Sequence, residues 1–280
     1  MIPNIQILRA LAALMVVFHH GLSATHLYGT PALSLAPLEQ IGQSGVDIFF
    51  VISGFVMVVS THNAPKTAGQ FFLGRLRRIV PIYWVLTLVL AALLIGVGKV
   101  GAGDEFWHLL VSLVFSSQIA TGTYPVLFLG WTLEYEMFFY VLFAIGLALR
   151  FRNATLVVPT IVITVLSLMF SMAIALEFVA GMFVARLYLE GRGSQMSGTL
   201  ALSLGAILLS ATIIWPRPLE DRWFVWGVPA SLIVYGALFI GQLHQRGLIF
   251  LGDASYSIYL IQAFTVTIAF KVMLRFWPEP

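Results

Sequence analysis

The sequence predicts an all-α, polytopic membrane helix bundle of about ten transmembrane helices, and three observations predict it. Of the 280 residues, 60% are hydrophobic and only 10% are charged, where an ordinary soluble domain carries roughly 25% charged residues. Mean hydropathy reaches +0.96. The apolar residues also gather in runs of about 17 to 25, the length a helix needs to cross the roughly 30 Å hydrocarbon core.

In chain order the runs lie near Ile5–Ala24, Val46–Ser60, Ile82–Val97, Val126–Leu149, Thr155–Met172, Ala173–Leu189, Ser197–Trp215, Trp223–Leu243 and Leu248–Leu274. A further stretch, Phe106–Ile119, is short. It crosses at a thin point, lies in the interface or re-enters. The first run has no basic segment ahead of it and ends in His and Gly, so it is expected to stay as a helix rather than be cleaved as a signal peptide. Lys and Arg favour the cytoplasmic side. With a cytoplasmic N-terminus and a short stretch that does not cross, Arg9, Lys66, Arg75, Arg77, Arg78, Arg150, Arg152, Arg186, Arg192 and Arg246 fall inside and Lys99, Arg217, Arg222, Lys271 and Arg275 outside, ten against five. If it crosses, the tally is nine against six, and Lys66 to Arg78 stay cytoplasmic either way. A net charge of +3 is too small to imply nucleic acid as a partner and reads as topology information. Cysteine is absent, which excludes a disulfide and a thiolate nucleophile. No linker, repeat or low-complexity tract divides the chain, so residues 1–280 are expected to form one domain.

Three constellations carry chemistry. The first is RALAALMVVFHH, Arg9 to His20. Eleven residues at about 100° each make three turns plus roughly 20°, so Arg9 and His20 project from one face, and His19 points about 80° away from Arg9. The rise between them is about 16 Å, half the hydrocarbon thickness. Intramembrane ionisable groups are costly and mark polar paths. The alternative is that Arg9 snorkels to one interface while the histidines reach the other. The second is QFFLGRLRRIVPIYW, Gln70 to Trp84, in which Arg75 and Arg78 share a face and Pro81 predicts a break before the next membrane helix. Paired guanidinium forks suit phosphate; arginines at this place also simply hold orientation or bind anionic headgroups. The third is GWTLEYEMFFY, Gly130 to Tyr140. Glu134 and Glu136 diverge by about 200°, so only one can face a given site. A carboxylate beside an imidazole fixes its tautomer and supports its protonated form, whereas an aromatic belt of Trp131, Tyr135 and Tyr140 would keep both acids in water. Asp47 and Glu177 raise the same question singly.

The ordered set RALAALMVVFHH, SGVDIFFVISGFVM, RLRRIVPIYW, GWTLEYEMFFY, LEFVAGMF and LGDASYSIYL resembles the acyltransferase-3 family of integral membrane acyltransferases, most of all its exopolysaccharide-modifying branch. The resemblance spans nearly the whole chain. It implies a single membrane domain of about ten helices, multi-pass in the bacterial inner membrane among its lipids. It implies an acyltransferase that moves an acyl group, often acetyl, from cytoplasmic acyl-CoA to a hydroxyl of a carbohydrate or lipid-linked saccharide, with no metal. The family's arginine–histidine spacing falls on Arg9 and His20, which selects His20 over His19. Its arginine pair falls on Arg75 and Arg78, and its tryptophan-motif glutamate on Glu136. Where the family often has a histidine, this chain has Gln262, which receives no role. Under this reading Arg75 and Arg78 hold the CoA phosphates, Arg9 lines the path of the pantetheine arm, and His20 acts as general base with Glu136 orienting its ring; His20 as an acylated nucleophile is the competing version. A secondary transporter or flippase of a polysaccharide precursor would also keep intramembrane Arg, His and Glu. A non-catalytic scaffold in polysaccharide assembly would not need His20.

Overall fold

In lipid a backbone must satisfy its own hydrogen bonds, and a chain this apolar does so by forming helices. The structure, a computed structural model, describes residues 2–27, 36–97, 104–149, 151–170, 172–214 and 222–276. Lys99, Arg150, Trp215 and Arg217, which enter the topology reading, lie outside the described residues. Among the described residues the regular structure is helical, and six helices are long and apolar enough to cross a membrane. The chain divides into two compact units, residues 1–65 with 156–280, and residues 66–155.

The first unit is built on α1 (Pro3–Leu27) and α2 (Ala36–Asn63). Ala10, Ala12 and Ala13 are fully buried, and a Cβ at Gly42 would stand 2.7 Å from the Met15 carbonyl oxygen. Small residues thus let the two backbones meet, which is how membrane helices associate when lipid offers no hydrophobic drive. α8 (Leu176–Leu189) crosses α2 where Gly54 lies on the backbone of Phe178 and Gly181 on that of Val51. Any side chain at either position would overlap the facing carbonyl. The close crossing stacks Phe50 on Phe178, ring centroids 4.4 Å apart. α9 (Gln195–Ile214) and α10 (Val228–Phe239) pack together, with a π-helical turn at Trp223–Gly227 leading into α10. α11 (Arg246–Asp253) and α12 (Ser255–Phe276) both lie on α1. Asn4 ties the start of α1 to the chain after α10: its side chain donates to the carbonyls of Ala237 and Gly241 and accepts from the amide of Leu243.

The second unit holds α3 (Ala68–Gly96), α4 (Asp104–Leu113), α5 (Ser117–Thr121) and α6 (Trp131–Leu149). α7 (Ala154–Phe170) begins in this unit and continues in the first. Thr67 and Gln70 form a capping box at the start of α3. α4 is too short to cross, rising about 15 Å. Its terminal carbonyls are satisfied from α3 instead. The Tyr83 hydroxyl donates to Ser112 O at 3.1 Å and the Trp84 indole to Leu113 O at 2.9 Å. Phe115 turns the chain in the left-handed region at φ 60°, held by stacking on Tyr83 at 4.8 Å.

Two expectations need correction. Pro81 does not break the chain, because α3 runs through it from Ala68 to Gly96. One missing amide costs a long apolar helix little continuity, since neighbouring bonds and packing hold the turn. The run Leu248–Leu274 is two helices, turning at Ala254. Phe106–Ile119, left open between crossing, interfacial and re-entrant, holds two short helices, α4 and α5. The expected count of about ten spans stands beside six helices of full length and the shorter apolar helices Ala154–Phe170 and Trp223–Phe239.

Candidate functional site

In the first unit the polar residues converge on α1. Arg9 is half-buried and donates to the Gln6 side chain at 3.3 Å. The two histidines part as helical geometry requires. His19 faces α2, with Nδ1 3.0 Å from Glu39 O, and the Ser23 hydroxyl donates to the Glu39 carboxylate at 2.6 Å. His20 keeps Nδ1 2.9 Å from Val16 O, one turn back on its own helix. A carbonyl only accepts, so in neutral imidazole Nδ1 carries the proton and Nε2 is the nitrogen that can take one. The rings of His19 and His20 meet edge to face at 4.8 Å.

α12 answers α1 with its own polar face. Ser255, Tyr259 and Gln262 recur at helical spacing, and all three are buried on a helix otherwise largely open to its surroundings. The Gln262 side chain bears directly on the His20 ring. Tyr259, one turn earlier, meets the Phe49 ring of α2 edge to face, centroids 6.3 Å apart. Arg222 makes a bidentate pair with Asp47, Nε to Oδ1 at 3.0 Å and Nη2 to Oδ2 at 2.8 Å, and its guanidinium lies 4.9 Å from the Trp226 ring centroid. Asp47 is wholly buried, as is Glu177, which the α2–α8 crossing brings beside it. Neither oxygen of Glu177 has a well-directed hydrogen bond, and a Cβ at Gly227 would meet Oε1 at 3.0 Å. One cation thus faces two acids in a sealed site.

In the second unit the two glutamates separate cleanly. Glu134 accepts from the amides of Ser117 at 2.8 Å and Gln118 at 3.1 Å, capping the start of α5. Glu136, on the other face of α6, accepts a short hydrogen bond from the Tyr140 hydroxyl. Tyr140 also presents its ring to Arg75, whose guanidinium carbon stands 5.9 Å from that centroid and 5.6 Å from that of Phe71. Arg75 and Glu136 are therefore joined through one tyrosine. Arg78 and Arg77 are exposed, and no ion-pair partner of Arg78 occurs among the described residues.

The residues singled out by sequence thus sort by unit: Arg9 and His20 on α1 of the first, Arg75, Arg78 and Glu136 on α3 and α6 of the second. Three participants were missed. Arg222 read only as a topology charge, and its partner Asp47 lies 175 positions away in sequence. Tyr140 read as belt. Gln262 carries a local signal, the helical spacing Ser255–Tyr259–Gln262 of polar residues.

The family profile described as an acyltransferase domain matches residues 2–280. This chain belongs to the acyltransferase-3 family. Its members are acyltransferase enzymes, and with this helix content the chain is a multi-pass membrane acyltransferase. It is 35% identical over 260 residues to the exopolysaccharide production protein ExoZ of Rhizobium meliloti, covering 84% of this chain and 80% of that protein. It is 25% identical over 236 residues to the O-acetyltransferase OatA of Staphylococcus aureus, covering 77% of this chain and 35% of OatA. Nodulation protein 10 of Rhizobium leguminosarum is 31% identical over 156 residues, 49% of this chain and 42% of that protein. No solved structure matches.

Proposed function

We propose that this acyltransferase moves an acetyl group from cytoplasmic acyl-CoA to a carbohydrate hydroxyl, on an exopolysaccharide or its lipid-linked precursor, in a bacterial inner membrane. The relatives named for exopolysaccharide production and O-acetylation support acceptor and acyl group. One observation carries the chemistry: His20, within an apolar membrane helix, has Nδ1 held by Val16 O, so that Nε2 is the basic nitrogen. Nε2 takes the proton of the sugar hydroxyl as its oxygen attacks the thioester carbonyl. The tetrahedral adduct then collapses, the C–S bond breaks, and the imidazolium returns the proton to the CoA sulfur. General-base help of this kind is worth about 10²- to 10⁴-fold.

The roles of the other residues follow their chemistry. Arg75 and the exposed Arg78 bind donor phosphates as bidentate cations. Arg9, steadied by Gln6, attends the pantetheine arm. Glu136, set by Tyr140, is the carboxylate assigned to orienting the imidazole. The test uses purified protein in nanodiscs with radiolabelled acetyl-CoA and isolated polysaccharide. His20→Ala should lose transfer about 100-fold or more while still binding CoA; retained turnover removes His20 from the chemistry.

A further inference from the structure

The buried face of α12 holds a group the mechanism above does not use. Gln262 is 1% exposed, and neither its Nε2 nor its Oε1 completes a well-directed hydrogen bond. A carboxamide so placed is costly, because burial strips its hydration and the adjacent His20 ring offsets only part of the loss. In lipid no water stands by to repair the loss. Its neighbour is the imidazole that the proposed function makes the base, and the two side chains interact. The helix is held on two sides: α12 packs on α1, Tyr259 meets the Phe49 ring of α2 edge to face at 6.3 Å, and Leu260 is fully buried.

The reaction creates a need that matches this group. When the hydroxyl oxygen adds to the thioester, negative charge grows on the carbonyl oxygen within reach of the base. Nothing on His20 can meet that charge while the ring is accepting the hydroxyl proton. A neutral side-chain amide is a good donor there, because it stabilises the oxyanion without lowering the basicity of the adjacent ring as a cation would. We propose that Gln262 is a catalytic residue, its Nε2–H donating to the carbonyl oxygen of the acyl group as the tetrahedral adduct forms. This inference rests on His20 as the base. It predicts that Gln262 acts in the transition state more than in donor binding, since the ground-state carbonyl carries little charge.

The experiment measures kcat and KM for acetyl-CoA with the full chain in nanodiscs, alongside His20→Ala. Gln262→Met keeps length and apolar fit but has no donor. It should lower kcat by about 10²- to 10³-fold, the range for loss of one oxyanion donor, with KM for acetyl-CoA changed by no more than about twofold. Gln262→Asn keeps the donor on a shorter arm and should recover part of the loss. The proposal is overturned if Met turns over like the native chain, or if Met and Asn lose kcat equally with KM rising in step. If Met lowers the yield of folded protein, Leu is read in its place, and unfolding of both makes the amide a structural partner and overturns the proposal. An active His20→Ala removes the base instead; an inactive His20→Ala with full activity in Gln262→Met removes only the amide.

Discussion

The charges of the two units are kept in opposite ways. In the first unit Asp47 and Glu177 are wholly buried around Arg222, with Trp226 stacked on the guanidinium. In the second, Arg77 and Arg78 stand exposed, and Arg75 is braced by the faces of Phe71 and Tyr140 rather than by a carboxylate. A buried pair is matched by its partner and cannot be offered to a ligand without leaving the other charge stranded. Exposed guanidinium groups keep their donors outward, and the half-buried Arg75 is braced by aromatic faces that take none of its hydrogen bonds. The first set serves architecture, and the second is free for the donor recognition proposed above.

Arg222→Ala tests the sealed set most severely. It leaves two acids in an apolar site, and the expected loss is about 3–5 kcal/mol of stability, read as collapse of the folded fraction in a detergent melt. Adding Asp47→Asn should return part of it, and a normal melt for Arg222→Ala would erase the contrast. Next comes Tyr140→Phe, which keeps the ring under Arg75 but removes the hydroxyl from Glu136. A hydrogen bond to a charged group is worth about 1.5–3 kcal/mol, so turnover should fall at least 10-fold, with the melt lowered less than in Arg222→Ala. Glu134→Gln should cost about 1 kcal/mol of local stability, the value of a helix cap, seen as faster amide exchange at Ser117 and Gln118 with turnover nearly native. Equal loss of turnover in Glu134→Gln and Tyr140→Phe would undo the separation of the two glutamates. Arg78→Ala should leave stability within about 0.5 kcal/mol, as surface changes do, while weakening CoA binding several-fold in a titration.

The sequence makes the helices legible because apolar runs have one stable form in lipid. It also makes the divergence of Glu134 from Glu136, and of His19 from His20, legible, since both follow from helical pitch alone. Other features depend on what a residue meets. Pro81 is a breaker by local rule, yet α3 passes through it. The turn at Ala254 lies inside a run that hydropathy reads as continuous. Arg222 needs the α2–α8 crossing and the π-helical turn to reach Asp47, and no local pattern encodes that meeting. Gln262 acquires meaning only from the imidazole beside it.

The continuity of α3 has a mechanical corollary. A rod of 29 residues measures about 43 Å, well beyond a hydrocarbon slab of about 30 Å. Proline at position 81 has no amide to give the carbonyl of Arg77. The joint therefore sits directly beneath the basic turn. A phosphate held by Arg75 and Arg78 would therefore sit about one turn from the single rung that α3 lacks, on a helix that stays continuous through it.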